Sequence, residues 1–288
     1  MDSTTHILIH TYHDHSLAEQ LNTEDVHFVQ EMSQNADDNQ YPPGVSPLLS
    51  FHLESSNLRI DCNEAGFSER DVRALCDVNK STKIAAGTIG EKGVGFKSVF
   101  KLADTVMVSS GYFSFMFDSN AELGMIAPRV SEFPGEHHLP GYTQFLLRLQ
   151  STDKWRQLSD EFRKIEPAAI LFLRRLKHLH FDLGNGSYRD IKYASNFGNL
   201  ASITTKFKGN NSTEEQTVTR YIISRFETDA LKSEPKRSGV QKTEIVLAFP
   251  LMSDEKSKNR TQSTYAYLPI RDYGFKVRLF LCITQIFM

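Results

Sequence analysis

The sequence predicts an α+β protein. Three observations lead there: helical and alternating spacings of apolar residues both occur, the strand-like segments gather after residue 100, and no internal repeat or low-complexity tract is present. With 40% apolar, 11% aromatic and 24% charged residues in 288, the chain has material for a sizeable core in one or two domains. A formal charge of -2 gives bulk electrostatics no preference for nucleic acid or an anionic membrane. Cys62, Cys76 and Cys282 are odd in number, far apart and without a C-x-x-C, which argues against both a disulfide framework and a zinc site. A reducing compartment, cytoplasmic or nuclear, fits best.

Residues 1–22 are expected to form an N-terminal arm. "MDSTTHILIHTYHDH" has a three-residue apolar run and no basic flank, unlike a signal peptide, and no segment approaches the ~20 apolar residues of a membrane span. Its His6, His10, His13 and His15 have no rigid element to present them as metal ligands. From Thr23, "TEDVHFVQEMSQNADDNQ" reads as a helix, capped by Asn22 or Thr23, with acids in its first turn and Val26, Val29, Met32 and Ala36 on one side. The paired prolines of "YPPGVSP" end it.

"LLSFHLESSNLRIDC" reads as two strands joined at "ESSN", and "SERDVRALCDV" as a serine-capped helix. "NKSTKIAAGTIGEKG" is a polar, small-residue loop; "FKSVFKLAD" is expected to be the next helix, before strands at "TVMVSS", "YFSFMFD" and "TQFLLRL". Beyond Leu149 comes a long helical region interrupted at Pro167, with Trp155, Leu158 and Phe162 as its core stripe. β-type segments follow at "ITTKFKG", "TVTRYIISRFE", "TEIVLAFPL" and "TYAYLPI". The expected domains are therefore 23–150 and 151–288.

Several stretches carry chemistry. Glu31, Asn35 and Asp38 fall at i, i+4 and i+7, one polar stripe opposite Val29 and Ala36, suited to a ligand or simply to solvent. "GTIGEKGVGFKSVF" packs four glycines into nine residues before a segment of helical spacing. Gly90, Gly93 and Gly95 allow backbone amides to approach an anion, a pattern that suits phosphate, or a flexible surface loop. The spelling is neither a Walker A loop, because Phe96 separates Gly95 from Lys97, nor G-x-G-x-x-G, because Ser98 replaces the last glycine. In "RIDCNEAGF" a carboxylate or amide could accept from an exocyclic amine, and in "PGYTQFLLRL" Thr143 could offer a hydroxyl to a buried ligand.

In order and spelling these pieces resemble the GHKL ATPases, the Bergerat-fold class that includes heat-shock protein 90 chaperones, type II topoisomerase ATPase domains, MutL proteins and histidine kinases. "EMSQNADD" is similar to the N box, "IGEKGVGFKSVFKLAD" to the chaperone glycine box, "NKSTK" to the start of the ATP lid and "GYTQFLLRL" to the final threonine box. "QNADDNQY", "NEAGFSERDVRALCDVNKSTK" and "GEKGVGFKSVFK" resemble the sacsin and NO VEIN branch more closely. The resemblance is strong over 24–150 and weaker to about residue 276.

What it implies is a two-layer α/β sandwich, a mixed, mostly antiparallel sheet covered by helices on one face, followed by a partial α/β transducer-like region. The cofactors would be ATP and Mg²⁺. Glu31 would be the general base, Asn35 the magnesium ligand and Asp38 a support for base or nucleotide; Gly90, Gly93, Val94, Gly95, Phe96 and Lys97 would cradle phosphates, and Thr143 would close the site. The family's adenine box is D-x-G-x-G, whereas the position four before Gly66 is Cys62, so Asp61 or Asn63 stands as the adenine contact beside Gly66.

The expected function is slow ATP hydrolysis coupled to conformational change in a larger protein with protein partners or clients, dimerisation being possible in that family. A degenerate nucleotide-binding scaffold is the alternative. A histidine kinase is disfavoured, since no dimerisation helix with a phospho-accepting histidine precedes the N box. "VRLFLCITQIFM" departs from the relatives, and the expectation is a truncated or mis-spliced end exposing an unpartnered, aggregation-prone strand.

Overall fold

A computed structural model describes residues 28–76, 96–228, 243–251, 263–266, 268–272 and 278–282. The chain enters as helix α1, residues 28–38. The hairpin β1 (Leu48–Leu53) and β2 (Asn57–Cys62) follows, then α2 (Glu69–Cys76) and a 3-10 segment Phe96–Lys101. Next come β3 (Ala103–Ser110), β4 (Phe113–Asp118), β5 (Arg129–Val130), a 3-10 turn Gly135–His137 and β6 (Thr143–Leu149). Helix α3 (Thr152–Lys164) and a 3-10 segment Pro167–Phe172 lead into β7 (His178–Asp182), β8 (Tyr188–Ser195), β9 (Leu200–Lys208) and β10 (Glu215–Thr228). The last strands are β11 (Thr243–Leu251), β12 (Ser263–Ala266), β13 (Leu268–Asp272) and β14 (Arg278–Cys282).

Among the described residues, fourteen strands form one sheet, in the order β13-β12-β14-β11-β10-β9-β8-β7-β1-β2-β6-β3-β4-β5. This corrects the expected two-layer sandwich with a helix-covered sheet followed by a partial α/β region. Among the described residues the helices are few and short beside one large mixed sheet. The physical reason lies at β1, whose free edge takes β7 as a parallel neighbour (Phe51 opposite Phe181), after which the antiparallel run β8 to β11 extends the same sheet.

Local reasons for the elements are legible. Ser68 and Asp71 exchange hydrogen bonds at the start of α2, where Asp71 Oδ2 accepts from the Ser68 amide at 2.9 Å and its hydroxyl at 2.7 Å. Ser151 caps α3, its side chain accepting from the Lys154 amide. Phe96, Val99, Phe100 and Ala103 have helical spacing, yet only a 3-10 segment forms. Leu102 is buried as well, at 1% exposure, so the apolar set exceeds one helical face and the chain passes into β3 at Ala103.

Phe51 sits at the centre of the core. Its ring stacks on Phe181 (5.2 Å, 8°) and meets Phe162 at 5.4 Å and Phe28 at 6.4 Å, tying β1 to β7, α3 and α1. A second cluster joins Phe96 to Phe117 and Phe145 at 5.6 and 5.7 Å. Asp37, 1% exposed on α1, accepts from the backbone amides of Arg174, Arg175 and Leu176 at 2.7–2.8 Å, fastening the segment before β7 to the first helix.

Strands β8 and β14 depart from expectation for different reasons. In β8 the inward positions include Arg189, 9% exposed, whose Nη1 donates to the carbonyls of Phe162 (3.0 Å) and Arg163 (2.6 Å) at the end of α3. A charged residue thus fills a core-facing slot and hides the alternation. β14 was expected to lack a partner, but it lies between β11, which it pairs antiparallel, and β12, which it pairs parallel. Its backbone is laddered on both sides, not presented as an open edge.

Candidate functional site

A pocket opens where α1 and α2 lean over β1, β2 and β6, with about 580 Å³ of empty space, part of it open to solvent. Its apolar walls are Met32, Leu49, Leu75, Phe96 and Phe145, and its polar groups come from Asn35, Asn39, Glu64, Asp71 and Thr143. Such a cleft, mostly apolar with a few convergent polar groups, is the usual form of a small-molecule site.

The structure brings Asn35, Phe96 and Thr143 together at this pocket although they are far apart in sequence. Asn35 stands one turn after Glu31 on α1. Glu31 and Asp38 are half-buried on the same helix, outside the pocket lining. Burial pushes the Glu31 carboxyl above its ordinary value, so it holds a proton more readily than a surface glutamate.

Thr143, 1% exposed, is fixed by Ser110, the two hydroxyl oxygens standing 2.6 Å apart. Ser110 Oγ also accepts from the Phe67 amide at 2.8 Å. The chain reaches that amide through Gly66, whose φ of +93° belongs to the left-handed region that favours glycine. Gly66 therefore shapes the turn that holds Thr143 without itself lining the pocket. Phe96 buries its ring among Phe100, Phe117 and Phe145, anchoring the end of the glycine-rich stretch. Lys97 follows in the same 3-10 segment. Gly90, Gly93, Val94 and Gly95 lie outside the described residues.

Asp61 and Asn63 are engaged elsewhere. Asp61 is 1% exposed and points to the opposite face of the sheet from Cys62, where it accepts from Gln144 Nε2 at 2.7 Å and Arg59 Nε at 3.1 Å and meets His52 Nε2 at 3.2 Å. Burial raises its pKa, but the bonds to His52 and Gln144 and the Arg59 charge outweigh that and hold the carboxyl below its ordinary value. Asn63 clips the loop before β1, accepting from the Leu48 amide at 2.8 Å and donating to the Ser46 carbonyl at 2.9 Å.

Besides Asp71, the pocket is lined by a buried acid, Glu64, 4% exposed. Sequence reading noted it beside Asn63 without choosing it; the signal available was its place beyond the end of β2, where strand alternation stops. Cys62 forms part of the pocket wall, its thiol pushed up to about 12 by burial and by the Glu64 carboxylate. The Tyr41 hydroxyl donates to the Ala36 carbonyl at 2.8 Å and lies 3.4 Å from Cys62 Sγ. A thiol so placed is a wall, not a nucleophile.

Fold and site together define, among the described residues, a single-sheet α+β protein with a mostly apolar cleft edged by Asn35, Asn39, Glu64, Asp71 and Thr143. No family model matches the chain. The chain is homologous to Protein NO VEIN of Arabidopsis thaliana, 34% identical over 284 residues, which cover 90% of this chain and 10% of that protein. It thus spans about a tenth of that relative's length. No helix among the described residues is long and apolar enough to cross a membrane.

Proposed function

We propose that the pocket binds Mg-ATP and that the chain hydrolyses it slowly, as a GHKL-type, heat-shock-protein-90-like nucleotide module within a longer NO VEIN-like protein. The observation that carries this reading is convergence: Asn35 of the N-box-like stretch, Phe96 at the end of the glycine-rich stretch and Thr143 of the last motif meet at one pocket. A nucleotide fits that donor set. Met32, Leu49 and Phe145 supply apolar walls for a base, and the buried Glu64 supplies an acceptor for its exocyclic amine.

The amide oxygen of Asn35 is the hard, neutral donor that magnesium takes as one protein ligand among phosphate and water oxygens. When bound, the ion neutralises phosphate charge and orients the polyphosphate. Glu31, one turn away with its carboxyl raised by burial, is the group to receive a proton from the attacking water. Nucleotide turnover would be coupled to conformational change in the longer protein and so reach a protein partner.

Calorimetric titration with ATP, with and without magnesium, on the full chain and on Asn35→Ala tests this. Magnesium-dependent binding that Asn35→Ala abolishes is expected, with phosphate release in the wild type. Tight binding without phosphate release would reduce the proposal to a nucleotide-holding scaffold. No binding at near-millimolar ATP by a folded sample would overturn it.

A further inference from the structure

The face of the sheet away from the pocket carries a second convergence of chemistry, independent of the nucleotide reading. β7 presents His178 and His180 at i and i+2, on one side of the strand, while Asp190 of β8 stands directly opposite His180 in the antiparallel register. Asp190 Oδ1 lies 2.6 Å from His178 Nε2 and 3.1 Å from His180 Nδ1, and the three ligand atoms all fall within 4.8 Å of one another. The three side chains are 22%, 26% and 15% exposed, reachable from solvent yet partly enclosed.

What holds them is rigid. On the reverse side of the same strands Leu179, Phe181 and Ile191 are 3%, 0% and 0% exposed, and β1 and β9 flank the pair in the sheet. The donors therefore converge from packed backbone rather than from a loop. Lys206, in register with Asp190 on β9, has its ammonium 2.8 Å from Glu214 Oε1, so its charge is met by that carboxylate.

We propose that His178, His180 and Asp190 form a site for a divalent transition-metal ion of the zinc type. Two borderline imidazole nitrogens beside one hard carboxylate oxygen suit zinc over magnesium or calcium, and three protein ligands leave a coordination position for solvent or a partner's side chain. Bound there, the ion would clamp β7 to β8 midway along the sheet. The rival is a self-sufficient hydrogen-bonded His–Asp–His cluster, in which the carboxylate alone bridges the rings.

The two are separated by titrating Zn²⁺ into the full chain with His6, His10, His13 and His15 replaced by alanine, which removes the histidine-rich arm as a competing chelator. One equivalent is expected to bind and to raise the melting temperature, and Co²⁺ is expected to give the visible absorption of a four-coordinate ion. His180→Ala should weaken Zn²⁺ binding by more than the roughly 10–100-fold that an outer-shell partner is worth, and cancel the thermal shift. Asp190→Asn, which keeps the side-chain shape, should weaken binding in the same direction and guards against a folding artefact. Equal Zn²⁺ affinity in His178→Ala/His180→Ala and its parent, or no Zn²⁺ binding by the folded parent at about 100 μM, a level zinc-type sites bind far below, would overturn the proposal.

Discussion

The two faces of the β1–β2 hairpin are made from adjacent letters and do opposite things. Leu49, Phe51 and Leu53 pair with Cys62, Ile60 and Leu58 on the side that meets the helices, while Ser50 and His52 pair with Asp61 and Arg59 on the other. On the first face burial is nearly complete and the free space is a mostly apolar pocket open to solvent. On the second, the charged groups are spent on one another, so Asp61 already has a histidine, an arginine and a glutamine. An acid inside a strand is committed by alternation. Glu64, past the strand's end, escapes that rule and lines the pocket.

The largest effect expected on the pocket face comes from Glu31→Gln. If Glu31 is the base, ATP turnover should drop by about 10²–10⁴-fold while nucleotide affinity stays near wild type. The same change should raise stability at neutral pH. Burial raises this carboxyl, so the folded state is penalised as pH climbs from the ordinary value of 4.5 through the raised one. Below 4.5 the two proteins should melt alike, and a gain that persists there would show that Glu31 destabilises by packing instead of charge.

Next is Asp37→Ala, which leaves the backbone amides of Arg174, Arg175 and Leu176, the last of them buried, without their acceptor. Denaturant titration should report a loss of about 3 kcal/mol. A loss below about 1 kcal/mol would mean that water replaces the carboxylate.

The comparison itself is tested by Glu64→Gln against Asp61→Asn. Glu64→Gln should weaken ATP about 10-fold, or about 1.4 kcal/mol; Asp61→Asn should leave affinity unchanged and lower stability. Because the folded pKa of Asp61 is depressed, its contribution is present above the ordinary 3.8 and lost as pH falls through the lower folded value. The stability difference between wild type and Asp61→Asn should therefore be full at neutral pH and close in acid. Reversed binding effects would mean that ligand entry reorganises the hairpin. The smallest effect is Thr143→Val, which removes the hydroxyl 2.6 Å from Ser110 and should cost about 1 kcal/mol by thermal or denaturant melting.

Much of the first half was legible. Alternation and a turn sequence specify the β1–β2 hairpin, Ser68 announces α2, and motif spelling named Asn35 and Thr143, which both line one pocket. The single sheet was not legible, because nothing local to β1 or β7 says that they pair in parallel across more than a hundred residues. Choosing Asp61 over Glu64 turned on where a strand ends, which letters fix poorly. The cysteine pattern speaks to thiolate zinc sites, whereas His178, His180 and Asp190 meet only after β7 and β8 align.

The parallel contact of β1 with β7 also dictates an order of events during synthesis. A nascent chain that has emerged only to residue 150 has Phe51 without Phe162 or Phe181, Asp37 without its three amides, and β1 with a bare edge. Contacts of such long sequence separation make folding slow. The pocket, built on Leu49 and the helix that carries Asp37, would thus reach its final shape only once residue 182 has left the ribosome.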